Sequence, residues 1–514
     1  MPETGLRKWL ITFTVLLATV IELIDTSIVN VALPQMMGNL GATLDEITWV
    51  VTAYVVANVI VIPLAGWLAA QFGRRNYFVS SIVVFTVSSF FCGHAGNIWE
   101  LVAFRFVQGM GGGALLTTSL AILVETFPPE ELSVASGLFG MGAVLGPTLG
   151  PVLGGWLTDN LSWPWIFYVN LPIGVLATLL ALAFVRDPAH RHKPGNVDWW
   201  GIGLLVVGVG SLQTVLERGQ TEDWFSSRFI VALSVLSALG LFGFVWRELT
   251  TPHPAVDLRV LRQRPVAVGT FLTFILGFGM YASLFIFPVF VQGLLGFTAL
   301  QTGVVLLADG LACALSMVIV GKLIEARVSK RLLSAAGFVL FSLALYLLSR
   351  STLESGRHDF VLPLMWRGIG LALMFVPVMT LALVGLQGPD IAQGSGLTNM
   401  MRQLGGSFGV ALITTFVQRT AWAHRASLLS HLSPFDPAAQ ARVEGFTQGL
   451  ILRGSTPVVA RQQAYAALEL TVQRQTYLMS YMDAFRIIAV FFLVCVPLVL
   501  LFKKDHGGGT AMIH

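Results

Sequence analysis

Apolar blocks of about twenty residues, separated by short polar segments, recur along almost the whole chain. A helix of that length spans the hydrocarbon core of a bilayer. Only 11% of the residues are charged, whereas a soluble domain carries roughly a quarter. The chain has too few charges to coat a soluble surface, so we expect it to lie within a membrane.

The apolar blocks predict about fourteen transmembrane helices in three groups. The spans lie near residues 9–36, 47–69, 77–95, 98–126, 133–156 and 164–185, then 199–217 and 229–246, then 266–291, 299–324, 332–349, 362–386, 394–418 and 479–502. We therefore predict an all-α integral membrane protein with a six-helix bundle over 1–190, two linker helices over 191–260 and a second six-helix bundle over 261–514.

The basic residues indicate topology. The formal net charge is +4, but Lys and Arg lie in short loops and form no single basic face, so nucleic acid is not an expected partner. Most of these loops lie on the side of the N-terminus, and positive loops favour the cytoplasm. We predict a multi-pass protein of the bacterial inner membrane, in contact with membrane lipids, with both termini cytoplasmic.

One connection, about 419–478, is much longer than the others and predicted to be non-cytoplasmic. Its segments 439–449 and 458–475 have helical composition, which predicts an ordered helical hairpin outside the membrane. Connections longer than about fifteen residues are usually functional or disordered. Two roles stay open at this point, a docking site for a partner protein and a simple cap.

A weak internal repeat relates the two halves. The segment Gly66-Trp67-Leu68, followed by Gly73-Arg74-Arg75, recurs as Gly321-Lys322-Leu323 followed by Ser329-Lys330-Arg331, and Leu101–Arg105 recurs loosely as Leu364–Arg367. In transporters with internal repeats, the substrate site lies between the repeats near the bilayer midplane. We expect the functional site at that interface.

The first span contains two acidic residues, Glu22 and Asp25, one helical turn apart on one face. A charge at this depth costs several kcal/mol (about 3 kcal/mol or more) and normally faces a water-filled cavity. Two close carboxylates cannot both ionise cheaply, which suits a proton-binding pair. We predict Asp25 as the main proton-coupling residue, assisted by Glu22. The alternative is a carboxylate that hydrogen-bonds a neighbouring helix and only stabilises the bundle.

Other polar groups within the spans are candidates for supporting roles. Arg105, beside Gln108-Gly109, is a permanent cation that needs a partner and could influence the acid pair; a purely structural ion pair is the alternative. Asp309, a third buried acid, could bind a cationic substrate or a second proton, or lie near the membrane interface. We predict Asp309, Gln108 and Asn30 as substrate-contacting residues.

Two glycine-containing motifs indicate conformational change. The fifth span carries small residues at four-residue spacing together with two prolines, which favours a tightly packed, bent helix that can slide or hinge: Gly142, Gly146, Pro147, Gly150, Pro151, Gly154 and Gly155. The loop from Gly66 to Gly73, Arg74 and Arg75 pairs a tight turn with two cations that could contact helix C-termini and neighbouring acids.

Several chemistries lack their motifs. The sequence has no phosphate-binding Gly-Lys-Ser/Thr loop and no Cys or His set at metal-ligand spacing. Its three cysteines are expected to be small core residues. We expect no metal, no cofactor other than a proton gradient, and no enzymatic activity, since no nucleophile and base stand at motif spacing.

These motifs resemble the major facilitator superfamily, in particular its fourteen-span drug:proton antiporters of the EmrB/QacA type. The resemblance covers nearly the whole chain and rests on Leu23–Pro34 in the first span, on Arg105 with Gln108-Gly109, and on Gly142–Gly155. The segment Gly210–Ser227 and the long outer connection resemble the EmrB branch. One departure is Ala70, where the family usually has an acid; Glu325 holds the equivalent position in the second repeat.

The resemblance implies two six-helix bundles with two extra helices, alternating access, and exchange of inward protons for outward amphipathic, drug-like molecules. It also implies an adaptor protein and an outer-membrane channel as partners. Other cargo, such as a metabolite, fatty acid or siderophore, stays open, as does proton-coupled import. A membrane sensor or scaffold is the alternative from another class, although acids buried in both halves argue against it.

Overall fold

A computed structural model describes residues 5–128, 131–187, 198–252, 254–383, 386, 389–430, 432 and 435–501, and this part of the chain is helical without strands. The α-helices are α1 (Gly5–Leu40), α2 (Leu44–Phe72), α3 (Arg74–His94), α4 (Ile98–Thr126), α5 (Leu132–Asn160), α6 (Trp165–Tyr168), α7 (Asn170–Phe184), α8 (Trp199–Arg218), α9 (Arg228–Thr250), α10 (Arg264–Gly293), α11 (Ala299–Glu325), α12 (Lys330–Leu348), α13 (Arg357–Leu383), α14 (Pro389–Ser430), α15 (Pro437–Leu452) and α16 (Pro457–Cys495). The predicted boundary at 190 and 191 falls outside the described residues.

Thirteen helical segments in the described ranges are long and apolar enough to cross a membrane. The predicted span near 394–418 lies within α14, which is too polar to qualify by composition alone. Its polar side chains Ser395, Thr398 and Asn399 are nevertheless buried, because α14 packs among α2, α10 and α16. The count of about fourteen therefore becomes thirteen apolar helices and one polar helix enclosed by them.

The helices form two groups that meet along two seams. Helices α1–α7 pack around α1 and α4, and α10–α16 pack around α10, α13 and α14. Helix α5 packs on α11 and α13 at one seam, and α2 packs on α14 at the other. The pair α8 and α9 lies beside the second seam, with α8 contacting both α2 and α14.

The last two spans extend far beyond a bilayer. Helix α14 has 42 residues and α16 has 39, which correspond to about 63 Å and 58 Å at 1.5 Å per residue. The hydrocarbon core is only about 30 Å thick. An ion pair between Arg425 and Glu469 (2.8 Å) joins the two extensions, and α15 packs on α16.

The predicted hairpin is therefore helical, but it is built mainly from continuous extensions of α14 and α16 rather than from a separate pair of helices. We call the extension of α14 from residue 419, α15, and the extension of α16 up to residue 478 the outer helical extension. It lies at the end of the bundle opposite the start of α1, which we call the outer end. The predicted turn residues Ser433 and Pro434 lie outside the described residues.

Candidate proton and substrate site

Asp25 lies at the centre of a buried polar network on α1. Its side chain is completely buried, and its carboxylate forms an ion pair with Arg105 (Oδ2 to Nη1, 2.5 Å). The other oxygen, Oδ1, accepts hydrogen bonds from Gln108 (3.0 Å) and Asn170 (2.8 Å). Both oxygens thus face donors, and a cation compensates the charge, which is the environment of an ionised carboxylate.

Arg105 is held equally firmly on α4. Its guanidinium donates to Gln108 Oε1 (2.8 Å) and to the Val50 carbonyl oxygen (3.3 Å) in addition to Asp25. The ring of Tyr54 lies beneath it, with 4.1 Å from the guanidinium carbon to the ring centroid. Arg105 therefore links α1, α2 and α4 through one buried positive charge.

Glu22 lies one turn earlier on α1, in different surroundings. It is 1% exposed, and its Oε1 accepts hydrogen bonds from Asn58 (2.9 Å) and Tyr54 (3.3 Å). Its Oε2 is buried without a hydrogen-bond partner within the described part of the chain. Both direct partners are neutral, so this site differs from that of Asp25 by lacking a cation in contact.

Glycines in α4 bring these groups together. A Cβ added at Gly112 would lie 2.5 Å from the Tyr54 hydroxyl and 3.2 Å from Glu22 Cγ, and one at Gly113 would overlap the Asn58 carbonyl oxygen. Because glycine lacks a Cβ, α4 approaches α2 and α1 closely. This close approach is what lets Tyr54 and Asn58 reach Glu22.

The second bundle contains a separate buried ion pair. Arg367 on α13 donates to both oxygens of Asp309 on α11, at 3.1 Å and 2.8 Å, and a third bond joins it to Ser283 (3.2 Å). Both charged residues are 3% exposed. Asp309 is thus deep in the protein, and its charge is already compensated.

A small cavity borders this second pair. It lies where α5 of the first bundle meets α10–α13 of the second, and its wall consists of Ala143, Val144, Pro147, Thr148, Met280, Ser283, Leu284, Asp309, Phe341, Arg367 and Leu371. The lining is mostly apolar with one ion pair. This is the place between the two halves where the internal repeat predicts a substrate site.

The predicted site residues are therefore only partly brought together. Glu22, Asp25, Arg105 and Gln108 form one cluster, and Asp309 lies at the separate cavity. Gln108 is fully buried in the network around Asp25, and Asn30 is exposed. The two acids of α1 are close in sequence but have separate sets of partners.

The glycine motif of α5 packs against the helix that carries the acids. A Cβ at Gly146 would overlap Leu23, one at Gly150 would overlap Ser27, and one at Gly154 would lie 2.8 Å from Ile28 Cγ1. On the same α5, Gly137 lies against the Met317 carbonyl of α11. Helix α5 thus contacts the acid-bearing helix on one side and the second bundle on the other.

The other members of the α5 motif have looser or less direct roles. A Cβ at Gly142 would find only ordinary contacts, the nearest at 3.5 Å. Gly155 is buried, and Pro147 and Pro151 lie inside a single continuous helix.

The loop after α2 has the contacts that its sequence predicts. Gly66 is buried in α2, and Gly73 adopts a φ of 92°, a conformation that favours glycine, at the turn into α3. Arg74 forms a two-bonded ion pair with Glu125 in the last turn of α4. Arg75 donates to the Leu182 carbonyl oxygen near the end of α7 (2.5 Å).

Glu325, which occupies the position of Ala70 in the second repeat, is exposed and forms no ion pair with a described residue.

Several residues of the network could not be identified from the sequence. Tyr54, Asn58 and Asn170 are uncharged residues on other helices, and no spacing marks them as partners of Glu22 or Asp25. Arg402, a buried cation on α14, could have been found because it is a charge within a predicted span. The repeat of Arg105 at Arg367 could likewise have predicted a second buried ion pair.

The cysteine prediction is confirmed, since all three are free and buried. The described ranges contain no group of His, Cys, Asp and Glu side chains that could hold a metal ion.

In the described ranges, thirteen helical segments are apolar and long enough to cross a membrane; two of them, α8 and α9, flank two bundles that each contain a buried carboxylate and guanidinium pair. These features define a multi-pass membrane protein of the transporter class. A family profile described as Major Facilitator Superfamily matches residues 15–410. The chain belongs to this superfamily, and the resemblance seen in its motifs is confirmed. Its relatives place it with the EmrB type, in the inner membrane.

Two relatives match over almost the full length. The chain is 35% identical to the "Multidrug export protein EmrB" of Escherichia coli K12, over 99% of this chain and 98% of the relative. It is 32% identical to the "Fatty acid resistance protein FarB" of Neisseria gonorrhoeae, over 99% of both chains. Among solved structures, the human organic anion transporter MFSD10 (TETRAN) has a similar fold, with a TM-score of 0.61 and 15% identity over 96% of this chain and 99% of that one.

Proposed function

We propose that this protein is a proton-coupled multidrug efflux antiporter, which exports amphipathic and hydrophobic small molecules by alternating access and uses no cofactor besides the proton gradient. Relatives named for multidrug export and for fatty acid resistance support this cargo class. The observation that carries the proposal is the pair of buried acids on α1 with contrasting partners. Two carboxylates in different environments can divide the tasks of holding charge and exchanging a proton.

Within this proposal, the proton is carried by Glu22 rather than mainly by Asp25. Asp25 is locked to Arg105 and two amide donors, so protonating it would break a buried ion pair. In the described part of the chain, Glu22 has only neutral hydrogen-bond partners and one oxygen without a partner, and a neutral carboxylic acid fits this site. Asp25 and Arg105 then act as the fixed scaffold on which Glu22 exchanges its proton.

Proton exchange at Glu22 is coupled to conformation through helix packing. Helix α1 rests on the glycines of α5, and α5 also contacts α11 of the second bundle. If the two access states hold the Glu22 proton with different affinity, proton binding shifts the balance between them, and substrate binding does so reciprocally.

We place the substrate at the apolar cavity between the bundles, with Asp309 in its wall. The ion pair with Arg367 means that Asp309 offers a dipolar pair to the substrate instead of a free negative charge. Gln108 then acts on the substrate only through the Asp25 network, whereas Asn30 remains available for a direct contact from the exposed side of α1.

We further propose that the outer helical extension, in the periplasm, docks an adaptor protein that leads to an outer-membrane channel. Its supporting feature is exposed apolar side chains beyond the length of the spans: Phe435 is 87% exposed, Leu452 88% and Val458 72%. Leu452→Glu should then weaken adaptor crosslinking and leave transport by the isolated protein unchanged.

The proposed function is tested with purified protein in proteoliposomes. A pH gradient is imposed, a pH-sensitive dye reports its dissipation, and cationic, neutral and weakly acidic lipophiles are added in turn. An efflux antiporter dissipates the gradient when its substrate is added. A sensor or scaffold would leave the gradient unchanged with every compound. Protons that move in the same direction as the substrate would indicate a proton-coupled importer.

A further inference from the structure

Arg402 is a buried cation of α14 that has no counter-ion among the described residues. Its side chain is 1% exposed, and it donates to the Tyr281 hydroxyl (3.1 Å) and to Asn399 Oδ1 (3.2 Å). Its Nε has no hydrogen-bond partner, and it forms no ion pair with any carboxylate of the described ranges. Burying a charge without an opposite charge nearby carries a large desolvation cost.

The three other buried arginines of the described part all have carboxylate partners. Arg105 pairs with Asp25, Arg367 with Asp309, and Arg218 with Glu222 (3.1 Å) as well as Asp45. Arg402 is therefore the exception among the buried arginines of the described ranges. A folded chain rarely retains a buried, unpaired charge that has no function. We therefore expect Arg402 to pair with an anion that it does not contact in this arrangement of the helices.

The position of α14 indicates which anion this is. Helix α14 packs on α2 and α4, and a Cβ at Gly396 would lie 3.1 Å from the Ile62 carbonyl oxygen of α2. The same α2 supplies both direct partners of Glu22, namely Tyr54 and Asn58. Arg402 therefore lies on a helix that packs against the helix supplying both hydrogen-bond partners of Glu22.

The two groups also have complementary unsatisfied atoms. Among the described residues, Glu22 Oε2 is an acceptor without a donor, and Arg402 Nε is a donor without an acceptor. They belong to opposite bundles, α1 in the first and α14 in the second. A small relative movement of the bundles would change their separation, and the attraction between unlike charges at low dielectric depends steeply on distance.

We propose that Arg402 is a positioning residue for proton coupling, which pairs with deprotonated Glu22 across the seam between the bundles. Loss of the Glu22 proton creates the negative charge that Arg402 lacks and draws α14 towards α1 and α2. Protonation removes that attraction and releases the seam. This inference rests on the proposed role of Glu22 as the proton carrier and adds the residue that converts its charge into a force between bundles.

Few other charges could take this role. On α1 itself, Asp25 is compensated by Arg105 of α4, and Tyr54 of α2 is a neutral donor to Glu22. Tyr281 of α10 contacts Arg402 without neutralising it. Of the remaining helices on α1, α7 has no titratable side chain, α6 has only Tyr168, and α5 has only Asp159, in its last turn. Arg402 is the cation that this surrounding leaves for Glu22.

The test is an infrared titration of purified protein in nanodiscs. The carbonyl stretch of protonated carboxyl groups is followed with pH, and the band missing in Glu22→Gln assigns Glu22. Arg402→Gln should raise the Glu22 midpoint by about one pH unit or more, because a nearby opposite charge favours the ionised form. Arg402→Lys should restore most of the difference. Arg486→Gln, which removes a cation that is 56% exposed, is the matched control and should leave the midpoint unchanged.

An unchanged midpoint in both Arg402 variants would overturn the inference, and so would an equal shift in the Arg486 control. If Arg402→Gln does not fold, Arg402→Met, which also removes the charge but keeps a long unbranched side chain, is titrated in its place and should raise the Glu22 midpoint in the same way. The titration does not depend on transport activity. The pairing of Arg402 with Glu22 and the proposed antiporter function can therefore be contradicted independently of each other. A shifted midpoint combined with normal gradient-driven efflux by Glu22→Gln would contradict only the proposed function, and uncoupled efflux without a shift would contradict only the pairing.

Discussion

Replacing Asp25 by asparagine should damage stability before it affects proton chemistry. The substitution keeps the shape of the side chain but removes the charge that lies 2.5 Å from Arg105 Nη1. Arg105 would keep Gln108, the Val50 carbonyl and the Tyr54 ring as partners, all of them uncharged. Breaking a buried ion pair by removing one partner costs about 3–5 kcal/mol, because the remaining charge is left buried.

A double-mutant cycle measures this effect. Thermal unfolding of Asp25→Asn, Arg105→Gln and the double variant is compared in one detergent, with Glu22→Gln as the control that retains both members of the pair. Each single variant of the pair should unfold at a clearly lower temperature, and the double variant should lose at least about 2 kcal/mol less than the sum of the two. Glu22→Gln should unfold near wild type. Equal stability of Asp25→Asn and Glu22→Gln would refute the assignment of Asp25 to a fixed ion pair.

Three further outcomes follow from local contacts. Gly146→Ala should destabilise the contact between α1 and α5 by about 1–3 kcal/mol and slow efflux, whereas Gly142→Ala, with 3.5 Å to its nearest neighbour, should behave as wild type in both assays. Arg74→Gln should cost about 1 kcal/mol and reduce the initial efflux rate, and Arg74→Lys should fall between it and wild type if the two-bonded geometry matters. Burial raises the pKa of Asp198, but hydrogen bonds from Arg247 and backbone amides outweigh this and hold it below its ordinary value. The interactions of ionised Asp198 therefore stabilise the folded protein above the ordinary pKa of aspartate. This stabilisation is lost as the pH falls through the lowered pKa of Asp198. In wild type, exchange of the backbone amide hydrogens in the first turn of α8 should therefore become faster as the pH falls through this pKa. In Asp198→Asn, the exchange should show no such change with pH.

The sequence predicts the spans well because each is long, apolar and bounded by charges or turns. The predicted span 98–126 coincides with α4, and most others end within a few residues of their helices. The predicted spans 394–418 and 479–502 are much shorter than α14 and α16, which continue into the outer helical extension. Helix α14 also differs in composition, because its polar side chains are enclosed by neighbouring helices rather than by lipid. Average apolarity does not reveal that a helix is surrounded by protein.

The acids and the buried arginine of the first bundle could also be found, since a charge within an apolar block is conspicuous. The sequence does not reveal which partners contact each of the two acids. Spacing places Glu22 and Asp25 on one face and predicts a shared site, yet Arg105 lies against Asp25 alone while Tyr54 and Asn58 approach Glu22. Those partners come from α2 and α4, and only the close packing at the glycines of α4 selects them.

The most direct test of the central claim, that proton coupling resides on Glu22, compares two transport modes of Glu22→Gln in proteoliposomes. One mode is efflux driven by an imposed pH gradient, and the other is exchange of labelled for unlabelled substrate at equal pH, which needs no net proton movement. We expect Glu22→Gln to lose the gradient-driven mode and retain exchange, because glutamine mimics the protonated acid permanently. Gradient-driven efflux at the wild-type rate in this variant would contradict the claim.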